Sequence, residues 1–285
     1  MRSKREPCVQ LKTQAQLAKM HEAGQAVASA LRAAADAVAP GVTTADLDAI
    51  ARAQLAAAGA APSFLGYHGF PATICACINA EIVHGIPSAS RVLREGDVVS
   101  IDCGASVDGW HADAALTVSL PGISAELAKL IADCEQALWQ GLAAARPGAR
   151  LSDISHAVER SVRAAGEYGI VEDYAGHGIG SEMHMDPPVP NYGRPGRGPV
   201  LAEGMALAIE PLLVLGSPNT RLLDDGWTVV SEDGGWSAHF EHTVAITPDG
   251  PWVLTALTGP PAGVLEPAGI VRAPAMHPHA AGWRR

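Results

Sequence analysis

The chain has 285 residues, 48% of them hydrophobic, with 20 Lys and Arg against 30 Asp and Glu for a formal net charge of −10. That length buries a sizeable core as one large domain or two small ones, and the acidic balance argues against nucleic acid as the main partner. No stretch reaches the length of a membrane span, no apolar run follows the charged N-terminus as in a signal peptide, and five unevenly placed Cys make no disulfide framework, so a cytoplasmic protein is expected.

In chain order, residues 1–10 read as an N-terminal tail opened by the charged run MRSKRE. Thr13 followed by Gln16 has the form of a capping box, and Leu17, Met20, Val27 and Leu31 then mark a helix that ends near Pro40-Gly41. Thr44 starts a second helix carrying Leu47, Ile50 and Leu55, closed by Gly59. Ser63 to Pro87 is extended, aromatic and turn-rich. Within it Cys75-Ala-Cys77 lacks the spacing of a zinc knuckle or redox pair and reads as strand residues sharing a face.

Asp97 to Val118 reads as a β-hairpin. Val99, Ile101 and Cys103 alternate with Val98, Ser100 and Asp102, and Asp108-Gly109 suits a two-residue primed turn. That turn sets Val107 opposite Trp110 and Gly104 opposite Asp113, leaving Asp102 one diagonal step from Asp113, about 7–8 Å between backbones. Two carboxylates aimed at one point from an apolar sheet repel and desolvate each other, and a buried cation resolves both problems. The competing reading, in which one Asp merely caps a turn, stays open on the hairpin alone.

The pattern then starts again. Ser124 caps a helix with Leu127, Leu130, Ile131, Cys134 and Leu138, and Pro147-Gly148 leads to Ser152 and another helix with Ile154, Val158 and Val162, closed by Gly166. PGVTTADLDAIARAQLAAAG (Pro40–Gly59) matches PGARLSDISHAVERSVRAAG (Pro147–Gly166) in length, ends and apolar phase. VLREGDVVSID (Val92–Asp102) matches VLAEGMALAIE (Val200–Glu210) more specifically, and each segment ends on a carboxylate. The chain therefore reads as a tandem of helix–helix–strand units, about 14–118 and 124–257, with Glu210 where the first bears Asp102. Packed face to face, the halves bring Asp102 and Glu210 together, and Glu241 in SAHFEHTVAIT lies among alternating apolar positions as Asp113 does. Residues 258–285, rich in Pro, Gly and Ala, are expected to form a flexible tail with little core to offer.

Three histidines sit beside or close to Gly or Pro: His177 in AGHGIG, His184 in SEMHMDPP and His84 in VHGIP. A lone His is more often a surface or core residue than a ligand, but four candidate carboxylates shift that balance. Oxygen-rich sites with one imidazole suit divalent ions of the Mn, Fe, Co or Zn group, and two ions about 3.5–4 Å apart can share a hydroxide nucleophile. The residues alone indicate a dinuclear metallohydrolase of pseudo-symmetric α/β build.

NAEIVHGIP (Asn79–Pro87), SIDCG (Ser100–Gly104), GWHAD (Gly109–Asp113), GHGIG (Gly176–Gly180), AIEP (Ala208–Pro211), DDGWTVV (Asp224–Val230) and FEHT (Phe240–Thr243) together resemble the type I methionine aminopeptidases, over about Leu11 to Leu257. The resemblance implies an α+β pita-bread fold: a curved antiparallel sheet with pseudo-two-fold symmetry, covered by two pairs of helices, over residues 11–257. It implies removal of initiator methionine from nascent or short peptides with a small second residue, using two divalent metal ions (Co, Mn, Fe or Zn). By the same likeness Asp102, Asp113, His177, Glu210 and Glu241 are the metal ligands, with Asp113 and Glu241 among the bridging carboxylates. His84 and His184 look like substrate-contacting histidines, His184 stabilising the tetrahedral intermediate, and Glu210 looks like the proton relay. Phe64, Tyr67, Phe70, Cys75, Met183, Leu212 and Trp227 fall at the positions of the family's methionine pocket.

Met183, Phe70, Leu212 and His239 depart from common family choices, which bears on pocket shape and leaves the reaction class alone. A monomer is expected. The N-terminus shows no zinc-binding cysteines or Pro-rich linker, so any ribosome contact is transient. Xaa-Pro peptidases of the same fold carry a large extra N-terminal domain for which Met1–Lys12 leaves no room. A non-enzymatic relative would lose ligands, and a dinuclear phosphatase would want Arg or Lys within the ligand motifs.

Overall fold

A capping box starts the first helix: the Gln16 amide donates to Thr13 Oγ1 at 3.3 Å while Thr13 N donates to the Gln16 side chain at 2.8 Å. In the computed structural model, which describes residues 9–257 and 269–271, this helix is α1 (Gln14–Asp36). It stops short of Pro40, which has no N–H to give the Asp36 carbonyl and disfavours helical backbone at Ala39. Thr43 and Asp46 form a second capping box ahead of α2 (Thr44–Ala57). Ser124 Oγ accepts from Leu127 N at the start of α3 (Ala125–Ala144). The last helix, α4 (Leu151–Ala165), begins one residue before Ser152; Arg150 holds the cap position, and its N–H donates to Asp153.

Nine strands form one sheet: β1 (Ala61–Pro62), β2 (Ile74–Ile78), β3 (Val98–Val107), β4 (Trp110–Ser119), β5 (Gly176–Gly178), β6 (Met185–Val189), β7 (Ala206–Ile209), β8 (Glu241–Thr247) and β9 (Gly250–Val253). The order is β1-β3-β4-β8-β7-β5-β6, with β2 added on β3 and β9 on β8. Every one of these pairings is antiparallel. The expected hairpin register holds: Val107 pairs with Trp110 and Gly104 with Asp113. Asp108 and Gly109 both take positive φ (51° and 79°), as a primed turn requires.

The two halves repeat in their hydrogen bonds as well as in their residues. Thr43 bridges Val92 just as Arg150 bridges Val200, each cap residue of a covering helix tied to the loop ahead of a central strand. The Gly41 and Gly148 amides donate to the Leu93 and Leu201 carbonyls at 2.9 and 2.8 Å. Helices α1 and α2 pack with Ile74, Ile101, Cys103 and Ala114, whereas α3 and α4 pack with Leu207, Ile209, Val244 and Ile246. Because strand residues alternate faces, burying Ile101 and Cys103 under helices turns Asp102 to the other side. Close packing of α1 depends on Gly24, where a Cβ would lie 2.4 Å from the Leu254 carbonyl oxygen.

Most of the two expected tails, residues 1–8, 258–268 and 272–285, lies outside the described residues. Where residues are described, the chain is docked. Gln10 donates to Ser181 Oγ at 2.8 Å, and Lys12 N donates to the Gly204 carbonyl at 2.8 Å. Gly269–Val271, the described part of the expected C-terminal tail, is packed: Val271 bridges Trp252, and Ile270 and Val271 pack against apolar clusters. Among the described residues no helix is long and apolar enough to cross a membrane.

Candidate active site

Three neighbouring strands deliver three carboxylates to one face. Asp102 on β3 pairs with Ala115 on β4, Glu241 at the start of β8 pairs with the same Ala115, and Asp113 stands two residues earlier on β4. Glu210 follows the last residue of β7, whose Ile209 pairs with His242, so it emerges beside Glu241. His177 is the central residue of β5, two strands beyond β8. All five are buried. Their ligand atoms fall into groups lying within 4.8 Å of one another: Asp102, Asp113 and Glu241; His177, Glu210 and Glu241; and Asp113, His177 and His184. Asp113, His177 and Glu241 each belong to two groups.

The electrostatics of this cluster are unfavourable without a cation. Burial, then the charges of Asp113 and Glu210, push the Asp102 carboxyl well above its usual range, and burial with the same neighbours does so for Glu241. Burial raises Asp113 to about 7, against opposing hydrogen bonds, and raises Glu210 to about 8 with the help of the Asp113 charge. Asp102 Oδ1, Asp113 Oδ1 and Glu241 Oε1 are buried with no hydrogen-bond partner, and among the described residues none of the four carboxylates pairs with Lys or Arg. Orphaned carboxylate oxygens beside one imidazole are the donor set of divalent ions of the Mn, Fe, Co and Zn group, so the residues present fit such a metal. Burial also holds His177 down to about 3, the neutral form a metal ligand needs.

Two cavities meet at this cluster. The inner one, about 320 Å³, is lined by Phe64, Tyr67, Phe70, Cys75, Met183 and Trp227 before it reaches the carboxylates. Phe70 stands edge-on to Trp227 at 5.1 Å between centroids, and Phe64 edge-on to Phe70 at 6.5 Å. Gly104 admits Phe64, since a Cβ there would lie 2.7 Å from the Phe64 ring. The outer cavity, about 530 Å³, opens past Tyr174, Met185, Asp186 and Pro188. His84, His177, His184 and Glu210 line both. His184 Nδ1 is hydrogen-bonded to the Tyr67 hydroxyl at 2.9 Å, and burial lowers the pKa of His184; burial also lowers His84, which reaches about 4.

Leu212 is not brought to the inner cavity. It is fully buried among Ile82, Val83, Val171 and Val229. Pro211 interrupts the strand after Glu210, so the alternation that would have kept Leu212 on the face of Glu210 does not carry across it.

Other residues at the site escaped the reading of the sequence. Tyr174, in a loop, lines the outer cavity and His68, in the 3-10 turn Tyr67–Gly69, lines the inner one, neither with a periodic signal. The Thr243 hydroxyl accepts from Asp113 N at 2.9 Å and donates to Asp113 O at 2.8 Å, a side chain standing in for a ladder bond. His239, noted in the sequence only as an unusual residue, lies beneath the cluster, with burial lowering it to about 3. Strand periodicity two residues before Glu241 was the available signal for it.

Known proteins resemble this chain over most of its length. The sequence model of metallopeptidase family M24 matches residues 18–248. Methionine aminopeptidase 1 of Mycobacterium tuberculosis (strain CDC 1551 / Oshkosh) is 54% identical over 245 residues, covering 84% of this chain and 92% of that protein. Methionine aminopeptidase of Clostridium acetobutylicum is 50% identical, covering 86% and 98%. The crystal structure of methionine aminopeptidase from Thermotoga maritima superposes with a TM-score of 0.85 at 40% identity, covering 87% of this chain and 99% of that one.

Proposed function

The chain belongs to metallopeptidase family M24, and on that premise we propose that it releases methionine from the N-terminus of peptides whose second residue is small. It is a metallo-aminopeptidase on the α+β pita-bread fold, a curved antiparallel sheet covered by two pairs of helices. One observation carries the substrate reading: an inner cavity of about 320 Å³, walled by the rings of Phe64, Tyr67, Phe70 and Trp227 together with Cys75 and Met183, that opens directly onto the carboxylate cluster. A thioether is polarizable and packs well against ring edges, so a methionine side chain suits that wall. With the side chain inside, the scissile carbonyl comes to where the cavities meet, and the rest of the peptide leaves through the outer cleft.

Asp102, Asp113, His177, Glu210 and Glu241 would hold two divalent ions of the Co, Mn, Fe or Zn group. When bound, such ions supply a water that ionises near neutral pH and a Lewis acid for the carbonyl. The remaining work falls to side chains. A Glu210 carboxylate oxygen is set to take the proton of the attacking water and pass it to the leaving amine. His184 Nδ1 is hydrogen-bonded to the Tyr67 hydroxyl, and in the tautomer in which that hydroxyl donates, His184 carries its proton on Nε2, a donor for the developing oxyanion. His84 is neutral at pH 7 and lines both cavities, placed to hydrogen-bond the substrate backbone. We place the enzyme in the cytoplasm as a monomer acting on short peptides and nascent chains, with any ribosome contact transient.

The test is release of methionine from Met-Ala-Ser and Met-Lys-Ser by metal-stripped protein reloaded with Mn, Fe, Co or Zn. Metal-dependent cleavage of the first peptide alone supports the reading and ranks the ions. Tight metal binding with neither peptide cleaved would sink it in favour of a non-enzymatic peptide binder.

A further inference from the structure

His239 ends a short strand, Ser237–His239, two residues before Glu241 opens β8. Its side chain is almost wholly buried, and Nε2 has no hydrogen-bond partner. That nitrogen lies 3.9 Å from Glu210 Oε2 and 4.0 Å from Glu241 Oε2. The backbone is held firmly: His239 N donates to Thr117 Oγ1 at 2.9 Å, and the same hydroxyl donates to the His239 carbonyl at 2.8 Å. His239 also pairs in register with Leu212, on the strand that follows Glu210. An orphaned ring nitrogen is thus fixed by two strands between two carboxylates.

The arrangement separates support from contact. His239 lines neither cavity, so a substrate in either one does not touch it. It is also absent from the groups of ligand atoms lying within 4.8 Å of one another. Among the described residues, the basic groups within 4.0 Å of the Glu210 and Glu241 oxygens are His177 and His239, with His177 Nε2 3.6 Å from Glu210 Oε1. A carboxylate that gives one oxygen to a cation leaves its other oxygen in need of a donor, and such donors set both orientation and affinity.

We propose that His239 is a positioning residue for the metal centre: its Nε2–H is the hydrogen-bond donor that orients the Glu210 and Glu241 carboxylates toward divalent cations. The gap of about 1 Å to hydrogen-bonding distance closes by rotation of a glutamate side chain, without backbone movement. Either charge state of the ring can present Nε2–H, so the role does not depend on titration. The inference rests on Glu210 and Glu241 being metal ligands.

The test compares the wild-type chain with His239→Phe, which fills the space without a donor, and His239→Gln, which restores an N–H. Binding of Co(II) alone is followed by calorimetry and by the visible absorption of the bound ion. The expected result is a 10–100-fold loss of affinity and a changed spectrum for His239→Phe, with most of both recovered in His239→Gln. If His239→Phe fails to fold, His239→Leu takes its place. Wild-type affinity and spectrum in the apolar variant overturn the proposal. So does a glutamine variant as weak as the apolar one, because a donor role predicts rescue. Failure of the wild-type chain itself to bind Co(II) would instead reject the metal-ligand reading beneath it.

Discussion

Asp102 and Glu241 flank the same residue: each pairs in register with Ala115, one from β3 and one from β8. Two acids from opposite halves of the chain are thereby set on one face with a single small side chain between them. Enlarging that side chain should force them apart. Ala115→Leu is expected to cut divalent-metal affinity by at least tenfold, since displaced carboxylates no longer meet one ion. Calorimetric titration with Mn(II) checks this, and unchanged affinity would show that the spacing is not set by Ala115.

The ligand assignment predicts a joint loss. Asp113→Ala or Glu210→Ala should abolish methionine release and weaken metal binding beyond the roughly 10–100-fold typical of supporting residues. Metal content after dialysis, measured beside turnover, distinguishes this from a purely catalytic defect. A variant that keeps its full complement of metal would remove that residue from the ligand set.

How much of this centre could be read in the sequence depends on how local each signal is. The hairpin was legible because period-two alternation and Asp108-Gly109 fix which residues face one another. The tandem halves were legible because Thr43 and Arg150, and the segments ending at Asp102 and Glu210, occupy matching places. Leu212 was not, because only the family resemblance placed it at the pocket, and Pro211 separates its strand from the one that leads to Glu210. Thr243 was not, because its bond to the Asp113 backbone joins residues 130 positions apart. The docking of Val271 on Trp252 was hidden too, inside a segment whose composition predicts no core contribution.

His184 has two geometric options. Its ring lies 4.3 Å from that of His177, and it shares a ligand-atom group with Asp113 and His177, yet Nδ1 is committed to Tyr67. A donor role predicts that His184→Ala lowers kcat about 10²–10³-fold while leaving metal bound. Tyr67→Phe, which removes the hydroxyl that sets the tautomer, should lower kcat by a smaller factor. Loss of metal from the alanine variant would make His184 a ligand.

The inner cavity predicts a defect of another kind. Cys75 lies opposite Asp102 on β2 and lines the cavity wall. Replacing it by Leu adds bulk where the methionine side chain would lie, and the expected loss in kcat/KM is about 10–200-fold, the range for a misfit of a methylene or two. Metal affinity should stay within twofold, because Cys75 offers no ligand atom to the cluster. Steady-state kinetics on Met-Ala-Ser gives the first number and calorimetry the second.

The buried acids make the stability of the metal-free enzyme depend on pH in an unusual direction. A carboxyl whose folded pKa is raised contributes stability below its unfolded pKa, and this is lost as pH rises through the folded value. For Asp113 that interval runs from 3.8 to about 7 and for Glu210 from 4.5 to about 8, with Asp102 and Glu241 displaced the same way. The buried histidines act oppositely. His84, His177, His239 and His242 are lowered from 6.5 to between about 3 and 4, so their contribution is lost as pH falls below 6.5. Between pH 6.5 and 8 the acids therefore act with little opposition, and each carboxyl still protonated in the folded state costs about 1.4 kcal/mol per pH unit. Thermal unfolding in chelator should show Tm falling across that interval. With divalent metal bound, the carboxylates are held charged and the trend reverses, stability dropping instead as acid releases the ion. A metal-free Tm that stays level or climbs from pH 6.5 to 8 would mean that the four acids are already relieved of one another's charge by other means.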